Sequence, residues 1–347
     1  MNERKRIDWI DVAKGIGILL VIISHVEEHF VGTPNAILKG PIYTFHMPLF
    51  FFVSGYLFSM KGSFKEFFKN KCKRILLPYF CLGTILVLFD IYWQGKNPYG
   101  NPWFKMDKFL GGMLNLLYQC RFWTLWFIAC LFFLNILLYI IMKCSKNEKV
   151  RAGIVVVLAI LGLTYYKIGG GGIFWNIDVC LTTMPFFYGG YLCRKTDFIN
   201  SKILKNRYKW ALFAGFVAAD VVCYIVNLRM TGQFLELWGN QYGFAPLTYV
   251  GAFAGTFALI ILADACRGFF PLRYLGENTM LIYAWHQTMM IPIIQKIFIV
   301  NDLFQGVWLT PAEYVGRIVV ATAFICISLS IVNEILCRLK LGFVVGK

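Results

Sequence analysis

The stretch FWTLWFIACLFFLNILLYIIM, residues 122–142, runs for 21 residues without one charged side chain. As an α-helix rising about 1.5 Å per residue it spans the roughly 30 Å hydrocarbon core of a bilayer. No water reaches a lipid-facing backbone, so such a stretch must satisfy its own amides, which a helix does and an open strand does not. The rest of the chain reads the same way. Of 347 residues, 59% are hydrophobic and 15% charged, and the mean hydropathy is +0.63. A soluble domain of this size needs more polar residues to cover its surface.

Comparable apolar blocks predict helices near 9–30, 43–60, 74–93, 122–142, 151–167, 177–194, 209–228, 246–266, 278–299 and 314–337. The fold class is therefore all-α: a polytopic integral membrane protein of about ten transmembrane helices. Residues 104–118 are apolar but too short to span, and read as a re-entrant or interfacial element. No polar stretch is long enough for a separate soluble domain, so 1–347 reads as one transmembrane unit. The first apolar block follows a basic head but lacks a small-residue cleavage site, and it carries Glu27, Glu28 and His29, unlike a cleaved signal.

Charge sets the orientation. With the N-terminus in the cytoplasm, Arg4, Lys5, Arg6 and Lys14 fall inside, as do the cations of 61–74, 143–151, 194–209, 267–273 and 338–347. That places 25 of the 34 Lys and Arg residues inside, the bias a real topology carries, and puts both termini in the cytoplasm. The net charge of +16 is thereby explained by topology and does not argue for nucleic acid. The 11 cysteines form no CxxC pair, and no disulfide or metal site is expected.

Ionisable groups inside a membrane are costly and mark functional positions. His25 sits deep in the first helix, eleven positions after Lys14. The helix thus carries a cation near one face and, about 16 Å along its axis, an imidazole able to act as general base. A second feature is Phe45-His46-Met47-Pro48-Leu49-Phe50-Phe51-Phe52-Val53-Ser54-Gly55, where Ser54 and Gly55 permit close helix approach. A third is Lys71-Cys72-Lys73-Arg74 ahead of Ile75-Leu76-Leu77-Pro78-Tyr79, which also reads as a topological anchor. A fourth is Gly276-Glu277-Asn278-Thr279, followed by Tyr283 and His286. His29, one turn beyond His25, reads as interfacial or as half of a metal pair. Asp178 begins a helix near the level of His25 and has the reach to orient an imidazole. Asp220 lies mid-helix and must face protein or water. Gly251 and Gly255 form a packing face.

These four motifs, in this order along nearly the whole chain, resemble the acyltransferase-3 family, in particular its fucose 4-O-acetylase and intercellular-adhesin type. The resemblance implies transfer of an acyl group, acetyl by family habit, from a cytoplasmic acyl-CoA to a hydroxyl of an envelope saccharide or lipid-linked acceptor. It also implies residence among the lipids of a bacterial plasma membrane. It maps the catalytic histidine onto His25, and the basic pair ahead of the third helix onto Lys71 and Arg74. Where the family has Arg eleven positions before its histidine, this chain has Lys14, which keeps the charge but loses the bidentate fork. On this reading Lys14, Lys71, Lys73 and Arg74 hold the donor phosphates, and Ser54, Asn278 or Tyr283 supplies oxyanion donors. Transfer is direct or passes through an acyl-imidazole. A transporter or flippase for an acylated glycan or small solute is the competing reading, which inverted repeats would favour; none is evident between the halves.

Overall fold

The computed structural model describes residues 7–30, 37–94, 105–300 and 310–347. Arg4, Lys5, Arg6 and Phe104, used above, lie outside them. The helices run in the order α1 (Asp8–Phe30), α2 (Lys39–Tyr43), α3 (His46–Tyr56), α4 (Phe64–Lys71), α5 (Leu77–Gln94), α6 (Met106–Tyr118), α7 (Trp126–Cys144) and α8 (Glu148–Lys167). There follow α9 (Ile177–Lys195), α10 (Lys209–Thr231), α11 (Ala245–Ala265), α12 (Phe270–Glu277), α13 (Thr279–Trp285), α14 (Ile291–Val300) and α15 (Pro311–Arg338). Local chemistry marks several starts. Ser63 and Glu66 close a capping box on α4, and Thr310 and Glu313 close another on α15, with Pro311 in the first turn where its missing N–H costs nothing.

Hydrophobic exposure is inverted relative to a soluble bundle. On α15, Val315, Val319, Phe324, Ile327, Ile331 and Ile335 form an exposed row at helical spacing, while Arg317 and Asn333 of the same helix are buried. On α10 only 17% of the most apolar window is buried. Apolar rows outside and polar groups inside are what a lipid solvent selects. Seven helical stretches among the described residues are long and apolar enough to cross a membrane: Asp8–Phe30, Phe64–Trp93, Met106–Cys144, Glu148–Lys167, Lys209–Thr231, Ala245–Ala265 and Pro311–Arg338.

Three of the ten expected spans are absent from that set. The block at 177–194 is helical as α9, but it carries polar residues along its length. The other two are broken. The expected helix at 43–60 divides into α2 and α3 at Thr44 and Phe45, where Phe45 leaves helical backbone (φ −132°) and the Thr44 hydroxyl bonds Asp220 Oδ1 at 2.8 Å. The expected helix at 278–299 is α13 and α14 joined by a π-helical turn at His286–Met290. A second π turn, Cys72–Leu76, joins α4 to α5, so the basic cluster expected in a loop is helical.

Small residues bring the central helices together. A Cβ on Gly15 of α1 would strike the backbone carbonyl of Leu272 in α12, and one on Gly276 of α12 would strike that of Asp11. The same reciprocal arrangement joins α3 and α9: Gly55 lies on the Phe187 carbonyl and Gly190 on the Phe52 carbonyl. Backbones this close gain dispersion along the whole crossing, the main attraction left when lipid removes the hydrophobic one. Gly251 packs on Cys223 of α10, and Gly255 on the ring of Phe45.

Candidate active site

The two broken helices and the far half of α1 enclose a cavity of about 480 Å³. The chain has four histidines, and His25, His29, His46 and His286 all line it. The His25 and His286 rings lie 5.2 Å apart between centroids. Tyr43 links the others: its ring is 6.2 Å from His25 and 4.7 Å from His46.

Backbone geometry sets the tautomers. His46 Nδ1 lies 2.9 Å from the Ile42 carbonyl, and His286 Nδ1 lies 2.8 Å from that of Tyr283. A carbonyl only accepts, so each Nδ1 carries the hydrogen and each neutral ring keeps its lone pair on Nε2. His286 Nε2 is buried and finds no hydrogen-bond partner among the described residues, and the same is true of His25 Nδ1. Buried polar atoms left open in this way, one of them at the π turn of His286, mark a site able to receive a ligand group.

Carboxylates position the wall. Glu27 is fully buried, and its oxygens accept from the backbone N–H groups of Ile37, Leu38 and Lys39 and from the Tyr314 hydroxyl. It satisfies the unpaired amides at the start of α2 and so fixes Lys39 and Tyr43 over the cavity. Lys39 Nζ bonds Glu28 at 2.8 Å and lies 5.1 Å from the Tyr43 ring centre. The other Glu28 oxygen lies 3.7 Å from His25 Nδ1. Across the cavity, Arg121 precedes α7 with φ +53°, a strained backbone held by its contacts. Its guanidinium pairs with Asp178 at 2.5 Å and donates to the Trp238 carbonyl at 2.6 Å.

The residues singled out in the sequence separate into two groups. His25, His29, His46, His286 and Tyr283 come together on the cavity wall. Asp178 faces Arg121 and the Ile173 amide, so it positions the arginine rather than an imidazole. Ser54 and Asn278 are not on the wall. The Asn278 amide donates to the Tyr274 carbonyl, and its oxygen accepts from Asn333 and Lys347.

The other group, Lys14, Lys71, Lys73 and Arg74, does not line the cavity. Lys14 pairs with Asp11 at 2.8 Å, where α12 crosses. The turn Gly342–Val345 packs on α5 and sets Gly346 against the Arg74 carbonyl and Met280. The Lys14 and Arg74 helices are thereby joined through α12, α13 and the last residues described. Lys71 Nζ lies 5.4 Å from the Phe67 ring centre, and Lys73 and Arg74 are exposed. Asp220 holds Thr44, the residue between Tyr43 and the His46 helix. Glu28, Lys39, Tyr43, Arg121 and Glu236 on the wall were not foreseen. Glu28 carried a signal, three positions after His25 on the same helix face; Arg121 and Glu236 carried none. No group of three or more His, Cys, Asp or Glu among the described residues is arranged to hold a metal ion.

A helical bundle with lipid-facing apolar rows and a buried imidazole cluster defines a membrane protein with its polar site inside the helices. The chain belongs to the acyltransferase-3 family, whose acyltransferase domain it matches over residues 7–330. It is similar to the nodulation protein NolL of Mesorhizobium japonicum, 28% identical over 225 residues that make up 62% of this chain and 55% of that protein. To NolL of Sinorhizobium fredii it is 26% identical over 196 residues, 54% of this chain and 48% of that protein. The chain thus spans about half the length of the curated relatives it matches. No solved structure matches it.

Proposed function

We propose that the protein is a multi-pass O-acyltransferase of a bacterial plasma membrane. It moves an acyl group, acetyl in the first instance, from a cytoplasmic acyl-CoA to a hydroxyl of an envelope glycan or lipid-linked saccharide. The observation that carries the reading is the gathering of every histidine on one cavity, about 16 Å along α1 from Lys14. Ten crossings with both termini in the cytoplasm would set the Lys14, Lys71, Lys73 and Arg74 end on the inner face, where donor phosphates arrive. The cavity would then face the other side, where an envelope acceptor is met.

In this mechanism His25 takes the proton of the acceptor hydroxyl as its oxygen attacks the thioester carbonyl. Tyr283, on the cavity wall, is the candidate to donate to the oxyanion; Ser54 and Asn278 lie off that wall and are not in place to do so. The tetrahedral species collapses with loss of the CoA thiolate, which takes up the proton from the imidazolium, leaving ester and free CoA.

The test is transfer from labelled acetyl-CoA to saccharide in proteoliposomes. Label in an ester of the acceptor, with one CoA released per ester, supports the reading. Solute crossing the bilayer without thioester loss would replace it with the transporter. Cysteine labelling reports the orientation, with Ser63, Ser145 and Ser201 inside and Gly170 and Gln233 outside.

A further inference from the structure

The mouth of the cavity is formed partly by the connection between α10 and α11, which is held as a rigid hairpin. Glu236 and Gln241 exchange both backbone hydrogen bonds at 2.9 Å. Leu235, Leu237 and Tyr242 point inward and are nearly fully buried, whereas Glu236 is half-buried and Trp238 is 45% exposed. The hairpin is pinned at both ends of its tip. Arg121 Nε donates to the Trp238 carbonyl at 2.6 Å, and the Trp238 indole N–H donates back to the Arg121 carbonyl at 3.2 Å. Buried Asn240 accepts from Thr182 at 2.6 Å. At its base Phe234 packs edge-on against Tyr43, 5.8 Å between centroids, and Tyr43 in turn touches His25 and His46. The hairpin is therefore built onto the imidazole cluster.

Charge on the wall is unbalanced in a way that selects a ligand. Lys39 is matched by Glu28 and Arg121 by Asp178. Glu236 lines the same cavity, yet no hydrogen bond or ion pair reaches its carboxylate from the described residues. The wall thus offers two oxygens with open lone pairs beside an immobilised indole whose N–H is already used and whose ring is bare. An aromatic plate next to a free acceptor fits a ring with one apolar C–H face and a rim of donors, the description of a pyranoside. An acidic sugar would set its own charge against Glu236 with no Lys or Arg among the described wall residues left without a carboxylate partner to offset it, so like-charge repulsion disfavours it.

We infer that Glu236 and Trp238 form the acceptor subsite, and that it takes a neutral or amine-bearing pyranoside and rejects an anionic one. The inference rests on the acyl-transfer reading for its place in the reaction, but binding tests it separately. Saturation-transfer NMR on the protein in phosphatidylcholine nanodiscs, with methyl glucoside, methyl glucosaminide and methyl glucuronide as probes, gives the discrimination directly. The first two should show ring-proton saturation at least about fivefold above the glucuronide. Glu236→Gln, which keeps shape and removes charge, should narrow that gap to less than about twofold. Trp238→Ala should abolish ring saturation, while Trp238→Phe, which keeps a plate and loses only the bond to Arg121, should retain it. Equal saturation by all three probes, an unchanged gap in Glu236→Gln, loss of binding in Trp238→Phe, or no saturation by any glycoside would each overturn the subsite. Glycoside binding with this pattern in a protein that transfers no acyl group would uphold the subsite and remove the acyl-transfer reading instead.

Discussion

Glu28→Gln tests whether His25 becomes charged during the reaction. A general base holds no charge while substrate binds and acquires one only as the proton arrives, so a neighbouring carboxylate stabilises the transition state more than the ground state. Glu28 lies 3.7 Å from His25 Nδ1. At that separation, with an effective dielectric of about 20, the attraction between carboxylate and imidazolium is about 4.5 kcal/mol. Lys39 sits 2.8 Å from the other carboxylate oxygen, and Glu28 is one-third exposed. Opposing charge and solvent together leave roughly half, about 2 kcal/mol, or about 30-fold in rate. Gln keeps an oxygen for Lys39, so the loop from Ile37 to Lys39, held separately by Glu27, should not move. The expected result is kcat lowered about 10–100-fold in the acetyl-CoA transfer assay, with KM for donor and acceptor changed less than about threefold. If Glu28→Gln keeps more than half of wild-type kcat, no positive charge develops on His25 and the base must be sought at His46 or His286, whose Nε2 lone pairs face other surroundings.

His25→Ala should lower transfer by about 10²–10⁴-fold, the usual contribution of a general base, while detergent-extracted protein still elutes as a monodisperse peak. Replacing Lys71 and Arg74 together by Gln should raise the KM for acyl-CoA by about 10²-fold, at about 1.5–3 kcal/mol per charge-assisted phosphate contact, and leave the acceptor KM unmoved; a fall in inserted protein with unchanged KM would make them topology signals only. Gly55→Val forces a side chain into the Phe187 carbonyl and should cost about 1–3 kcal/mol by overpacking, read as a lower midpoint of thermal unfolding. Gly111→Ala in α6, where a Cβ meets nothing within 4 Å, should instead be neutral or stabilise by up to about 1 kcal/mol.

Membrane class, most of the helix positions and the spacing of Lys14 from His25 on α1 were readable along the chain. Each depends on a local quantity: the length of an apolar run, or the spacing of two side chains on one helix. The edges of α1, α8, α10, α11 and α15 accordingly fall within a few residues of their expected places. His25 stood out because an imidazole deep in an apolar run is conspicuous by itself.

Long-range packing decided the rest. That His46 and His286 share a wall with His25 depends on the breaks at Thr44–Phe45 and His286–Met290. One break is held by Asp220 from α10, far along the chain. Asp178 had the depth to orient an imidazole, but Arg121 from the α6–α7 connection reaches it first. Glu236 and Trp238 had no motif at all; they reach the cavity mouth because Arg121 and Tyr43 hold their hairpin there. In a bundle whose outer surface already matches its lipid solvent, apolar pattern shows which segments are helices but not which faces meet. That choice falls to small-residue contacts such as Gly15 with Leu272 and Gly55 with Phe187, and to buried polar pairs that only the assembled bundle brings within reach.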